Sequence, residues 1–441
     1  MVQAETSARL ANLDGQEGQP TDAARDGQHT DTTALARALS DVGVVAPHTG
    51  RPLSEALLFG IGGGPGGGYW LFEFTGAPKA LVLGARHRWH QPHLFLSALC
   101  ERLDVPLTNH ETAGTRAAEK HLAAALSTGR RPLAWVDQAG LPYLCVGSEW
   151  ERFWLHIVGV RGVDAETGDI LVDDRAAEPW PVPAETFAAA RKAIASNKHR
   201  LMVPQPPAMP LTPERLEAAI LDGIRVGMDE LLNPPIKNFG LPAFAKFADL
   251  VANTRNKKGW PTVFAEPAEL LRGLGGVHHG IETNGTGGGA FRTFYADFLA
   301  EAASIVRRPG LDEAAAAYRE IGQGWSALAA AALPDREPLL RRTRELAREK
   351  DRLFMDEGPR VLERLAAIAA ETTTIEEDAA GGLALSPAEI TELLEDMRVR
   401  LLALVAAEEA AATALAAAVR GRQEIISRFM GRGLGWHRGT V

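Results

Sequence analysis

Four prolines in eight residues, Val203-Pro-Gln-Pro-Pro-Ala-Met-Pro210, divide this chain into two parts of different character. Proline fixes its own φ and has no amide hydrogen to donate, so neither a helix interior nor a central strand tolerates such a run. Ahead of it, from about 29 to 203, helical patterns alternate with brief apolar runs bounded by turn residues. Those at 79–84, 132–137, 155–160 and 169–173 predict strands. Beyond it, from about 211 to 332, the pattern is helical. Thr212-Pro-Glu-Arg supplies a cap, a first-turn proline and an early acid ahead of Leu216, Ile220 and Ile224. From 333 to 441 alanine, leucine, glutamate and arginine dominate. Two long amphipathic segments, 335–371 and 386–428, flank Gly381-Gly382, and Ser386-Pro-Ala-Glu389 is a capping-box start for the second. An antiparallel helical hairpin is the expected arrangement there. Residues 1–28, rich in Gln, Asp, Gly, Ala and Thr, read as a mobile tail.

Composition narrows the function classes. At 441 residues the chain has room for two or three domains. A net charge of −9 without a dense Lys/Arg run argues against nucleic-acid binding. Two cysteines, Cys100 and Cys145, allow neither a disulfide framework nor a multi-thiolate zinc site, and they fit a reducing cytoplasm. Both read as buried small hydrophobes. The start of the chain has no basic segment followed by an apolar one, and no run of about 18 apolar residues occurs, so neither a signal peptide nor a membrane span is expected.

Gly60-Ile-Gly-Gly-Gly-Pro-Gly-Gly-Gly-Tyr69 looks like a phosphate-cradling loop, but no Lys-Ser/Thr follows and no acidic ribose partner is suitably placed. The alternative is a flexible loop that brings backbone close to a neighbouring element or to substrate. His87, His90 and His93 form His-x-x-His-x-x-His, yet Pro92 interrupts a helix there, no carboxylate is spaced to join them, and Arg86 and Arg88 repel a cation. Surface or cleft-lining histidines are the reading; no metal or cofactor is expected.

A more informative series is Gln28-His-Thr-Asp-Thr-Thr-Ala-Leu35, Leu53-Ser-Glu-Ala-Leu-Leu-Phe-Gly-Ile-Gly-Gly-Gly64, Leu141-Pro-Tyr143, His156 and Asp174. In this order the motifs resemble the butirosin-biosynthesis protein H family, a bacterial family whose N-terminal domain is similar to papain-like peptidases that trim bacteriocin leader peptides. Ile281-Glu-Thr-Asn-Gly-Thr-Gly-Gly-Gly-Ala-Phe-Arg292, with Tyr295 and Phe298-Leu-Ala-Glu301, resembles the domain that commonly follows it. The resemblance implies an α+β chain: a papain-like cysteine-peptidase fold, then a mainly helical domain, then the helical hairpin. It also implies a site. The family's nucleophilic cysteine begins the first helix, where unpaired amides favour a thiolate. A strand histidine serves as base and then acid, and a strand-end carboxylate holds its tautomer. Those roles fall on Thr30, His156 and Asp174, with His29, Glu55, Gly62, Gly63, Gly64, Tyr143, Glu282 and Arg292 around the substrate.

Threonine at position 30 is the departure from the family pattern. Its hydroxyl is far less acidic than a thiol, and nucleophilic threonines rely on an N-terminal amine. Three readings stand open: a helix cap beside Asp31 and Thr32 in a silent fold, a poor nucleophile, or chemistry reassigned to His156 and Asp174. Strand alternation sets Asp173 and Asp174 on opposite faces, so only one can meet His156. The loop 285–289 either binds an anion beside Arg292, or Glu282 and Arg292 pair internally to fix it. The implied activity is acyl transfer or amide-bond chemistry in natural-product assembly, the acyl group arriving as a thioester on a carrier protein. The alternative is a non-catalytic scaffold that binds a precursor peptide or carrier protein. The leucine/alanine stripe of the last helices suits packing or a homodimer.

Overall fold

The structure, a computed structural model, describes residues 27–73 and 78–420. The expected tail, apart from Gly27 and Gln28, lies outside the described residues, as does the end of the 386–428 segment.

Among the described residues the first part of the chain builds five α-helices and two sheets. Helix α1 (Thr30–Asp41) buries Thr32, Leu35, Ala38 and Leu39 at helical spacing, and α2 (Glu55–Ile61) is buried along its whole length. Strands β1 (Tyr69–Phe72) and β2 (Ala80–Leu83) form an antiparallel pair. Helix α3 (Pro92–Arg102), strand β3 (Leu107–His110), helix α4 (Thr115–Ser127) and strand β4 (Leu133–Asp137) follow, then β5 (Leu155–Val163), β6 (Ile170–Asp173), β7 (Trp180–Val182), helix α5 (Ala184–Ala193) and β8 (Leu201–Pro204). Six of these strands make an antiparallel sheet in the order β3-β8-β4-β5-β6-β7. All five residues of β4 are buried, which is why it reads as a continuous apolar run rather than an alternation. Helix α1 packs against β5.

Four predicted strands match β2, β4, β5 and β6. The proline-dense connector is partly a strand: Pro204 closes β8 opposite Leu107, with β8 between β3 and β4. A proline is tolerated there because it is the last residue of the strand.

The remainder is helical: α6 (Pro213–Leu232), α7 (Gly240–Val251), α8 (Trp260–Val263), α9 (Pro267–His278), α10 (Arg292–Val306), α11 (Leu311–Ala332), α12 (Pro338–Glu357), α13 (Leu362–Ala379) and α14 (Pro387–Val419). Thr212 accepts from the Arg215 amide at 3.2 Å, the cap the sequence called for. The expected hairpin is rearranged. Gly358, at φ +56, and Pro359 break the first long segment into α12 and α13, which run back along each other through Arg342–Glu371 and Arg364–Glu349 ion pairs. Helix α14 packs instead on α6, α7 and α11. By length and a mean hydropathy of 1.7 it would suit a bilayer, but a third of that stretch is buried in the protein, and Glu408 within it holds a buried ion pair.

The two parts share one continuous apolar core. Contact is tight where α2 and the following loop meet α6. A β-carbon at Gly223 or Gly227 would run into the backbone of Gly60, Ile61 or Gly63.

Candidate functional site

The site begins where α1 starts. His29 is the N-cap, but its side chain makes no capping hydrogen bond. The buried Glu55 carboxylate does the holding instead. Its Oε1 accepts from the His29 amide at 2.6 Å and from the Thr32 and Thr33 hydroxyls, while Oε2 accepts from the Gly27 and Gln28 amides at 2.8 and 3.0 Å. Those bonds use up its acceptors, so Glu55 fixes the 27–33 segment rather than touching substrate, a correction to the expectation for this residue.

On the facing strand β5, His156 Nε2 lies 2.7 Å from Asp174 Oδ2, just beyond β6. Tyr143 donates its hydroxyl to the same oxygen at 3.0 Å. Burial pushes the Asp174 carboxyl up, but His156, Arg175 and Tyr143 pull it down further, and the net lies below the ordinary carboxylate range. Asp173 points the other way and takes Arg37 and Arg131, which settles the alternation in favour of Asp174. Tyr143 is buried with its ring stacked on Trp180 at 4.7 Å. It therefore supports Asp174 from behind, not substrate from the front.

Thr30 and His156 line one cavity of about 420 Å³. His29, Asp31, Arg86 and Gln138 share its polar wall, and Phe72, Phe153, Trp154 and Phe291 are among its apolar ones. Among the described residues the Thr30 hydroxyl makes no hydrogen bond. His29 is buried edge-on between Phe59, Phe95 and Phe291, and burial, then Arg86 and Arg175, drive its titration well below the usual value, so it is neutral. Neither cysteine lines the cavity. Cys100 is buried, its thiol pushed up to about 12 by burial, while Cys145 is only half-buried, in a left-handed turn at φ +49.

Gly62, Gly63 and Gly64 do not reach this cavity. All are buried, and a β-carbon would strike Phe95 at Gly62, His87 at Gly63 and Tyr295 at Gly64. This is a stretch for close packing, with neither the flexibility nor the ligand contact expected of it. His87 is buried beside it and pushed down to about 3 by burial and neighbouring arginines; His90 is exposed at the cavity rim and His93 half-buried.

The second glycine-rich loop does reach the site. Gly285 and Gly287 press on Gln28 and His29, Asn284 and Thr286 line the cavity, and the Thr286 hydroxyl donates to the Ile281 carbonyl while accepting from the Gly288 amide. Ala290 and Phe291 are both left-handed, at φ +52 and +68. Glu282 accepts from Ser326 at 2.6 Å and from the Gly289 amide. Arg292 does not pair with it, and keeps no N–H for an anion at the loop. All five Arg292 N–H groups are spent on Glu408 (2.7 and 2.8 Å) and on the carbonyls of Ala85, Ala290 and Gly66. The loop is a fixed wall.

Two comparisons bear on this arrangement. Residues 29–175 match the family described as Butirosin biosynthesis protein H, N-terminal, and residues 185–380 match a Domain of unknown function (DUF4872). The N-terminal part of the chain, residues 29–175, is that family's domain. The match suggests a function related to butirosin biosynthesis. No curated protein matches the chain. The family's N-terminal match spans Thr30, His156 and Asp174, while the wall residues Asn284, Thr286 and Phe291 lie in the second.

The sequence pointed to Thr30, His156 and Asp174 together. It missed Arg86 and Gln138, and it read Asp31 only as part of a helix cap. Asp31 sits beside Thr30 in the same motif and was open to recognition. Arg86 was not, since its partner is 55 positions away.

Proposed function

We infer that the chain is a natural-product biosynthetic enzyme of the butirosin acyltransferase type, built on a papain-like scaffold, which moves an acyl group from a carrier-bound thioester to an acceptor nucleophile. The observation that carries this is the His156–Asp174 pair opening, together with the start of α1, onto one cavity. With Nε2 committed to Asp174, Nδ1 is the nitrogen left to move a proton. Tyr143 and Asp174 hold the ring and favour the imidazolium that forms. Thr30 stands where the family has its nucleophile, and its hydroxyl is a weak one. The reading therefore routes the acyl group directly from sulfur to the acceptor, with amides of the unpaired first turn of α1 available to a developing oxyanion.

The test is release of thiol from an acyl N-acetylcysteamine thioester in the presence of an amine. His156→Ala is expected to lower the rate about 10²-fold or more, with unchanged melting. Full rate in that variant would remove catalysis by this pair.

Threonine at position 30 favours a second reading, a non-catalytic scaffold that binds a precursor peptide or carrier protein. On that reading no thiol is released by the wild type, and Thr30→Cys alone brings activity.

A further inference from the structure

Direct transfer asks two things of one encounter: a base for the incoming nucleophile and an acid for the departing sulfur. A single imidazole must do both in turn. The cavity holds another candidate.

Asp31 is the only carboxylate among the described residues that line the cavity. It follows Thr30 in the first turn of α1 and is buried. Arg86 Nη2 holds its Oδ2 at 2.8 Å, and His29 Nε2 lies 3.8 Å from the same oxygen. Arg86 is fixed in turn, its guanidinium 4.2 Å over the Phe95 ring and donating to the His87 carbonyl at 2.7 Å. Asp31 Oδ1 takes no hydrogen bond among the described residues, so one oxygen is anchored and the other is available. The charged groups that act on it are Arg86 from the loop after β2, His156 from β5 and Asp174 from beyond β6. Burial raises the Asp31 carboxyl, with Arg86 and His156 pulling back, while Asp174 is held low. Environments that push two carboxyls apart are how a site divides acid and base roles.

The geometry points to Asp31 as a second catalytic group, the base for the acceptor nucleophile, with His156 as the acid for the departing thiol. This rests on the acyl-transfer reading above. The acceptor's nitrogen or oxygen bonds to the thioester carbonyl carbon while its proton passes to Asp31 Oδ1. The C–S bond then breaks with its electron pair going to sulfur, which takes the proton of the His156 imidazolium. The Asp31 proton passes to His156 and restores both groups. Acyl thioester and acceptor give acylated acceptor and thiol, with no other reactant.

The experiment uses the full chain with butyryl N-acetylcysteamine thioester and glycinamide, following thiol release and butyrylglycinamide across pH. Asp31→Asn should lower kcat about 10²-fold or more and remove the acidic limb of the kcat/KM profile. Arg86→Gln should keep that limb but move it to higher pH, because the guanidinium no longer favours the carboxylate. It also serves as the second variant should Asp31→Asn fail to fold. A purely structural Asp31–Arg86 pin would lower melting in both variants and leave the limb in place, and that result overturns the proposal. So does wild-type kcat in Asp31→Asn. If His156→Ala keeps full rate while Asp31→Asn loses it, the imidazole's part fails and with it the division of labour. No thiol release by the wild type removes the acyl-transfer reading and this inference together.

Discussion

Two side-chain pairs, Arg292–Glu408 and His156–Asp174, show how differently a carboxylate and its partner are used in two regions of this protein. Both side chains of the first are fully buried, every guanidinium N–H is spent, and Phe244 and Trp325 flank the charge while Trp325 donates to Glu408. The second is 13% exposed at its histidine, and leaves Asp174 Oδ1 without a partner among the described residues. A saturated pair can only hold; an unsaturated pair beside a cavity still has valence for a reaction. The lesson is to count free donors and acceptors before giving a charged residue a role, and by that count Arg292 is structural while His156 keeps a ring nitrogen for the proposed chemistry.

The largest expected effect breaks the first pair. Arg292→Ala leaves Glu408 buried without its cation, and should cost about 3–5 kcal/mol, read as a fall in the denaturation midpoint. A variant as stable as the wild type would make the saturated pair incidental and erase the contrast. Next in size is Gly63→Ala, which places a β-carbon against His87 at φ +121. Overpacking and strain there should cost about 2 kcal/mol, with catalysis per folded molecule unchanged; lost turnover at wild-type stability would return this loop to the substrate. Smallest is Tyr143→Phe, about 1 kcal/mol at neutral pH. The sign of its pH dependence follows from Asp174, whose folded carboxyl titrates below its unfolded value. Such a group stabilises above the unfolded pKa and loses that contribution as pH falls through the folded one. Without the Tyr143 hydroxyl the folded value rises, so the gap between variant and wild type is full above about pH 4 and closes below it. A gap independent of pH would mean that Tyr143 acts through packing alone.

Legibility from sequence followed the range of the interaction. The strand carrying His156 and the one that ends just before Asp174 are short apolar runs with turn residues at their ends, and so announce themselves. β3, Leu-Thr-Asn-His, is a half-polar edge strand without alternation, and nothing local marks it. The choice between Asp173 and Asp174 needed the positions of Arg37 and Arg131. Glu282 is the acid that precedes Arg292 across the glycine-rich loop, whereas the true partner lies 116 residues further on. The glycines of 60–64 read as a loop that brings backbone close to a neighbouring element or to substrate; the close approach is to Phe95, His87 and Tyr295, which only the packed neighbours reveal. The helical break at Gly358-Pro359 is local to the residues, but the amphipathic pattern continues across it and masks it.

The tie between residues 292 and 408 also orders events in time. Synthesis adds residues at about 5–20 per second, so the cavity wall at Phe291 leaves the ribosome well before the carboxylate that neutralises its neighbour. Until α14 arrives, Arg292 has no anion to enter the core with. The cavity is therefore among the last parts of the molecule to set, and a nascent chain stopped short of Glu408 would carry Thr30, His156 and Asp174 without the full enclosure around them.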